Sequence, residues 1–478
     1  MFLFDPAWLT ANFALIAMVL KPVLVVALLF QVLPLLVLAE RRGAAVIQDR
    51  PGPNRAFIQL PGFLPVVGGM KLRAFGMIFN LTDAVKLLFK ESFTAAFAHR
   101  WWYIIAPAIP VVAALLTPAV LPWFGPIVYQ VAPGQIAQVS GQVFDVNVGL
   151  LLFFAIGSLS VYGIVLGSWA SNSKFSLLGG MRASAMMISY EVSMGLSVLG
   201  IILIVGDFSL TNIVEWQTTH TWGIFVQPVG FMLFLVSMFA ECNRNPFDVA
   251  EGESEIVAGF HTEFASSKFM LFMTAEYLHV LIASVLIATL YLGGYSLLPF
   301  PLPMTGKDGL DWLTLDTAWV QGHLNVVGGL MLTGGGLLLI GLSALVNRHK
   351  RAYAKLNASD AADRLREYTF FAGLFMFLGL LTLAGGAACL LLEPPTPITG
   401  AYYQAKPIYP LWVSLVTSVI QLNVVMVKTL MIAWIFIWVR WTLPRFRYDQ
   451  IMSLGWKVML NIALVNLLVT ALIAKLVR

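Results

Sequence analysis

Apolar runs long enough to cross a lipid bilayer recur along the whole chain, and no water-soluble core could hide all of them. Ten stand out, at about 12–38, 102–124, 146–168, 184–205, 225–242, 267–297, 324–346, 369–392, 411–439 and 456–476. About 20 apolar residues in a helix match the hydrocarbon thickness of a membrane. Lipid offers the backbone no hydrogen-bond partners, so each run must satisfy its own N–H and C=O groups as a helix. With 59% hydrophobic and only 11% charged residues, the chain is predicted to be an all-α, polytopic membrane protein. The N-terminus lacks a basic segment and the first run is too long for a cleaved signal, so no signal peptide is expected. Lys21-Pro22 inside that run implies a tilted or kinked first helix.

The basic residues give the spans a direction. Ala39–Arg100 carries nine basic residues against four acidic, Asn347–Thr369 carries six basic residues, and Arg440–Lys457 carries four. Lys174 and Arg182 lie between the third and fourth spans, in loops of the same parity, while the other loops hold little basic charge beyond Lys307 and Lys406. Excess Lys and Arg marks the cytoplasmic side. The parity therefore predicts both termini on the outer, non-cytoplasmic side of the membrane. Asp83, Lys86, Lys90 and Glu91 alternate with apolar residues in the first basic segment, as in an amphipathic helix lying at the interface.

Composition also excludes chemistry. The net charge of +5 is spread over membrane-proximal loops and does not suggest nucleic acid. Cys242 and Cys389 cannot supply the four thiolates of an iron–sulfur cluster. No Gly-rich nucleotide loop and no spaced His/Cys metal set is found. The chain alone is expected to hold no metal and no catalytic centre, so any electron carrier diffuses or belongs to a partner.

One charged segment interrupts this apolar chain. Glu241–Glu263 reads ECNRNPFDVAEGESEIVAGFHTE and contains six of the 24 acidic residues: Glu241, Asp248, Glu251, Glu253, Glu255 and Glu263. Asn245 can cap a helix beginning at Pro246, which would align Asp248, Glu251 and Glu255 on one face. Carboxylates this close raise one another's pKa, and Arg244 suggests a network. Glu191, Glu276 and His279 lie inside spans, where an ionisable group is expensive and points to function. Near the first span, Arg41 and Arg42 are followed by Gln48-Asp49-Arg50-Pro51-Gly52-Pro53-Asn54-Arg55. Positive-inside anchoring accounts for Arg41 and Arg42 but does not require the stiff turn presenting Arg50 and Arg55.

The motifs AERRGAAVIQDRPGPNR at 39–55, GSWASNSKFSLLGGMRASAMMISYE at 167–191, ECNRNPFDVAEGESEIVAGFHTEF at 241–264 and VRWTLPRFRYDQIMSLGWK at 439–457, with the Asp83–Glu91 helix, resemble one family closely. It is the quinone-site membrane subunit of respiratory complex I, the proton-pumping NADH:quinone oxidoreductase. The resemblance implies eight family spans forming much of a quinone chamber, with quinone as substrate. It also implies FMN and iron–sulfur clusters on partner subunits only. Hydrophilic quinone-site subunits would complete the chamber, and small membrane subunits would lead to antiporter-like ones. Glu191, Glu241, Asp248, Glu251, Glu253 and Glu255 would couple quinone reduction to proton movement. Arg41, Arg42, Gln48, Arg50, Arg55, Arg182, Arg244 and Glu263 would line the chamber or a partner interface.

The chain departs from the family pattern in places. Phe79 and Met186 stand where glutamines are usual, and a proline usual after the Lys90-Glu91 pair is absent. The chain is also longer than most members. The excess suggests a core at 1–300, an inserted two-span hairpin at 301–410 and a C-terminal part of the core at 411–478. The hairpin is expected to lie at the lipid-facing periphery, with Gly334, Gly335 and Gly336 as a close-packing patch. Alternative readings are the equivalent subunit of a membrane-bound hydrogenase-type complex, or a stand-alone ion transporter. Against the last, no internal repeat is apparent.

Overall fold

In the computed structural model the apolar runs form helices separated by charged or proline-rich breaks. It describes residues 6–50, 52–61, 69–132, 134–300, 302–306, 309–313, 315–354, 361–398, 402–403 and 406–477. Pro51, Lys307 and the side chains of Glu253 and Lys406 lie outside the described residues. In order the helices are α1 (Pro6–Ile47), α2 (Met77–Phe89), α3 (Arg100–Ile105), α4 (Ala108–Leu116), α5 (Gly149–Gly157) and α6 (Leu159–Ala170). There follow α7 (Lys174–Val205), α8 (Leu210–Thr219), α9 (Gly223–Val226), α10 (Pro228–Glu241), α11 (Glu253–Ile256) and α12 (Ser266–Tyr291). The last six are α13 (Thr317–Gly322), α14 (Leu324–Ala354), α15 (Ala361–Leu391), α16 (Leu411–Thr442), α17 (Tyr448–Ser453) and α18 (Leu460–Val477). The strands form short two-stranded antiparallel ribbons outside these helices.

Among the described residues, nine helical stretches are long and apolar enough to cross a membrane. The run predicted over 225–242 is shorter, because α10 has only 14 residues. Pro228 has no N–H to continue a helix from upstream, and Gln227 breaks it with non-helical backbone at φ −130°, ψ 60°. Its amide is held by α18, donating to Thr470 Oγ1 at 2.6 Å and accepting from Asn466 Nδ2 at 3.0 Å. The first run is one helix of 42 residues with both Pro22 and Pro34 inside it. Lys21 projects sideways and donates to the carbonyls of Ser140 and Gln142.

Burial sorts the helices. In α12, 61% of the most apolar window is buried within the chain, against 11% in α15. The central core joins Leu29 and Leu36 of α1, Met194 of α7, Leu281 of α12 and Phe436 of α16. Helix α15 leaves most of its apolar surface uncovered by the rest of the chain. Close approach is set by small residues: a Cβ on Gly163 would lie 2.4 Å from Pro110 Cδ, so α6 meets α4 backbone to ring. In the α14/α15 hairpin a Cβ on Gly336 would meet the Gly379 carbonyl at 2.8 Å. Of the three expected packing glycines only Gly336 is in this interface; Gly334 and Gly335 face open space. Gly329, Gly379 and Gly386 supply the rest of the seam, because only residues facing the partner helix can shorten the crossing distance.

Helix α2 begins at Met77 and ends at Phe89, so Lys90 is its C-terminal cap and Glu91 lies beyond it. Leu81, Val85, Leu88 and Phe89 are exposed, which fits a helix lying in an interface.

Candidate functional site

The charged centre forms where the acidic segment is folded against the ends of α1, α12 and α16. It is not the helix expected from Pro246. The Asn245–Pro246 peptide is cis, and Asn245 Nδ2 donates to the carbonyls of Arg440 at 2.8 Å and Leu443 at 3.0 Å instead of capping. Phe446 N donates to the Pro246 carbonyl at 3.1 Å, pinning the loop to the segment after α16. Helical structure is limited to the single turn α11. Asp248, Glu251 and Glu255 therefore do not share a helix face, and their surroundings differ.

Asp248 is 5% exposed and accepts from Arg445 Nη2 at 2.9 Å. Burial and the nearby Glu251 charge push its carboxyl up to about 7, against the pull of Arg445. Burial also works against the Glu251 charge, but the His261 imidazole beside it holds that carboxyl at about 2. His261 Nδ1 lies 2.9 Å from Glu251 Oε1. Glu255 is exposed and pairs with Arg182 at 2.5 Å. That pair lies at the surface, beside Tyr448.

Arg244 is the hub. It is 5% exposed, with Nη1 3.6 Å from Glu40 Oε2, Nη2 3.9 Å from Glu276 Oε2 and its guanidinium 4.4 Å from the Tyr277 ring centroid. Burial disfavours its charge, but Glu40, Tyr277 and Glu276 outweigh that and hold it more firmly protonated than usual. Glu40 also receives a hydrogen bond from Arg440. From this hub the ionisable groups continue inward. Glu276, Glu241 and His279 line a cavity of 20 Å³, while Glu241, His279 and Glu191 line one of 40 Å³. A polar cavity above about 10–15 Å³ can hold a water. Each is therefore large enough for a water to bridge its carboxylates.

The structure thus brings Glu191, Glu241, Arg244, Asp248 and Glu251 into one system, with Arg244 and Asp248 buried and the three glutamates partly exposed. It adds Glu40, His261, Glu276, Tyr277, Arg440 and Arg445, which sequence reasoning did not place there. Glu276 carried a usable signal, as an ionisable residue inside a span. Glu40 looked like part of a loop of mixed charge, and nothing in sequence pairs it with residues 204 and 400 positions away. Glu251, His261 and Glu276 also place three possible metal-ligand atoms within 4.8 Å of one another. The Arg244 cation beside Glu276 already occupies the charge balance of that group, so it fits an ion-pair network better than a divalent cation.

The other named residues lie apart. Arg41 pairs with Asp83 of α2 at 2.6 Å, and Arg42 donates to the Phe75 carbonyl at 2.5 Å. Arg50 donates to Gln48 at 2.6 Å in an exposed turn, and Arg55 is exposed. Glu263 contributes its backbone carbonyl, which accepts from the Tyr103 hydroxyl. Lys428 of α16 is satisfied by the carbonyls of Leu292, Gly294 and Ser296 at 2.6–2.8 Å, a structural role.

Fold and site define a multi-pass membrane protein with a buried ionisable chain reaching into its helices from one charged face. The sequence model of the NADH dehydrogenase family matches residues 20–332 and 366–471. The chain is 35% identical over 442 residues to NADH-quinone oxidoreductase subunit 8 of Rhodothermus marinus, covering 91% of both. It is 34% identical over 432 residues to an H-type NADH-quinone oxidoreductase subunit of Cytophaga hutchinsonii, covering 90% of this chain and 89% of that one. Over 477 residues it is 33% identical to the H-type subunit of Bdellovibrio bacteriovorus, covering 95% of both. The chain belongs to this family, the H-type membrane subunits of NADH-quinone oxidoreductase. These relatives are of comparable length.

Proposed function

We propose that this chain is the quinone-site membrane subunit of a proton-translocating NADH:quinone oxidoreductase. The observation that carries this reading is the line of ionisable groups from buried Glu40 and Arg244 to Glu276, and on through two small cavities, one shared by Glu276 and Glu241 and one by Glu241 and the partly exposed Glu191. A charge appearing near Arg244 would shift the protonation of carboxylates that already compete for one cation. Protons could then pass between carboxylates through bridging waters. The chain's part in the reaction is to position quinone and to move protons; electrons arrive from FMN and iron–sulfur clusters held by partners. With only two cysteines it cannot supply the four thiolates of such a cluster, and no activity is expected of it alone.

The charged face would be the cytoplasmic one, following the positive-inside rule, with both termini outside the bacterial inner membrane. Partner docking on that face is supported by exposed apolar residues beyond α2 and outside the spans: Phe93 at 59% and Phe97 at 82% exposure. Exposed Arg50 and Arg55 suit the same interface. The hairpin α14/α15 reads as an addition to the quinone-site core. The test is Glu241→Gln in the reconstituted complex, which keeps shape and removes charge. Assembly should be retained, with NADH:quinone turnover or proton pumping reduced at least tenfold. Normal turnover at unchanged proton stoichiometry would refute a coupling role.

A further inference from the structure

Where α15 meets the loop before α2, an apolar groove of 1020 Å³ opens towards the surroundings of the hairpin. Phe370, Leu374 and Phe377 form its wall along α15, Met70 closes one side, and Lys350 and Arg366 stand at its charged end. From Phe370 to Phe377 the wall runs about 10 Å along the helix axis. Phe377 is 64% exposed, so the groove is not filled by the chain's own side chains.

The charges around the groove are unbalanced. The acidic residues of this end are already engaged: Asp363 pairs with Lys71 at 2.9 Å and acts only at longer range on Arg73 and Arg366. Glu367 Oε1 accepts from the backbone N–H groups of Arg73 and Ala74, each at 2.8 Å, and Oε2 faces the Arg73 guanidinium. Among the described residues no carboxylate lies within ion-pair distance of Lys350 or Arg366. Arg348 and Arg351 add positive charge on the same turns of α14. An apolar wall within the membrane below a cationic rim has the polarity of one amphiphile class, a lipid with an anionic head.

We propose that this groove binds an anionic phospholipid. Its phosphate is held by Lys350 and Arg366, and one acyl chain lies along Phe370, Leu374 and Phe377. The lipid bridges the hairpin to the loop at Met70, reinforcing the contact that Glu367 makes three residues further on. A basic side chain near a membrane surface attracts anionic lipid, and the contribution of two corresponds to about a 30-fold change in affinity. A helix from another subunit would cover the apolar wall but leave the cations without a partner, unless it carried its own acidic groups.

The test uses the intact complex, delipidated in mild detergent and then supplied with phosphatidylglycerol or phosphatidylcholine. Native mass spectrometry should find phosphatidylglycerol retained by the wild type. The double variant Lys350→Gln/Arg366→Gln should bind it about 30-fold more weakly, and Lys475→Gln, at the far end of the chain, should bind it normally. A photoreactive residue substituted at Phe377 should crosslink to phospholipid. Equal retention by the double variant, equal retention of phosphatidylcholine, or crosslinking of position 377 to polypeptide or to quinone would each overturn the proposal.

Discussion

Replacing Arg244 with Gln would remove the cation that two buried carboxylates share. Its guanidinium nitrogens lie 3.6 Å from Glu40 and 3.9 Å from Glu276, at 5% residue exposure. At an effective dielectric of about 20, each contact represents about 4 kcal/mol of direct attraction. Most of that offsets the desolvation of the three groups and is not net stability. The measurable quantity is the penalty of stranding buried charge, about 3–5 kcal/mol. Glu40 retains Arg440, so Glu276 bears most of the loss. A buried carboxylate without its cation is relieved by protonation, which becomes easier by about 1.4 kcal/mol per pH unit of acidification. The deficit should therefore be large at pH 8 and clearly smaller at pH 6. Thermal inactivation of the assembled complex at the two pH values measures it, with Arg244→Lys as a variant that keeps the charge and loses part of the geometry. Its deficit should be the smaller. A deficit equal at both pH values, or none for Arg244→Gln, would refute the assignment of Arg244 as the shared cation.

Three further outcomes follow from the same structure. Asp248 holds its proton up to about 7 in the folded chain but loses it near 3.8 when unfolded, so its contribution to stability is complete below 3.8 and is lost as pH rises through 7. Asp248→Asn should therefore gain stability relative to wild type between pH 5 and 8, and a constant difference would contradict the buried-acid assignment. Glu367→Ala removes two N–H bonds to a charged acceptor, each worth about 1.5–3 kcal/mol. Amide hydrogen exchange at Arg73 and Ala74 should rise at least tenfold, and less in Glu367→Gln, while unchanged exchange would show that the hairpin does not hold this loop. Gly336→Leu should destabilise the α14/α15 crossing by about 1–3 kcal/mol through overpacking. Gly335→Leu, which points into open space, should not, as read by thermal unfolding of the complex.

The sequence by itself determined the helices, because in lipid a long apolar run has only one way to satisfy its backbone. It located nine of the spanning stretches and the common parity of the basic loops, and the length and spelling of Glu241–Glu263 pointed to the family. Local rules failed where tertiary partners competed for the same groups. Asn245 could cap a helix, but its amide serves Arg440 and Leu443 instead, so the acidic residues meet through an irregular loop. Gln227 and Pro228 shortened the fifth run, at a break where α18 holds the Gln227 side-chain amide. Only the tertiary structure decided which charges share the interior. Glu40, Arg244, Glu276 and Arg440 come from four separate parts of the chain, and no periodicity within any one of them records the others. Burial did the sorting: Glu255 and Arg182 remain a surface pair, whereas Arg244 is enclosed and must answer the nearby carboxylates, since a buried charge without a partner is far more costly than an exposed one.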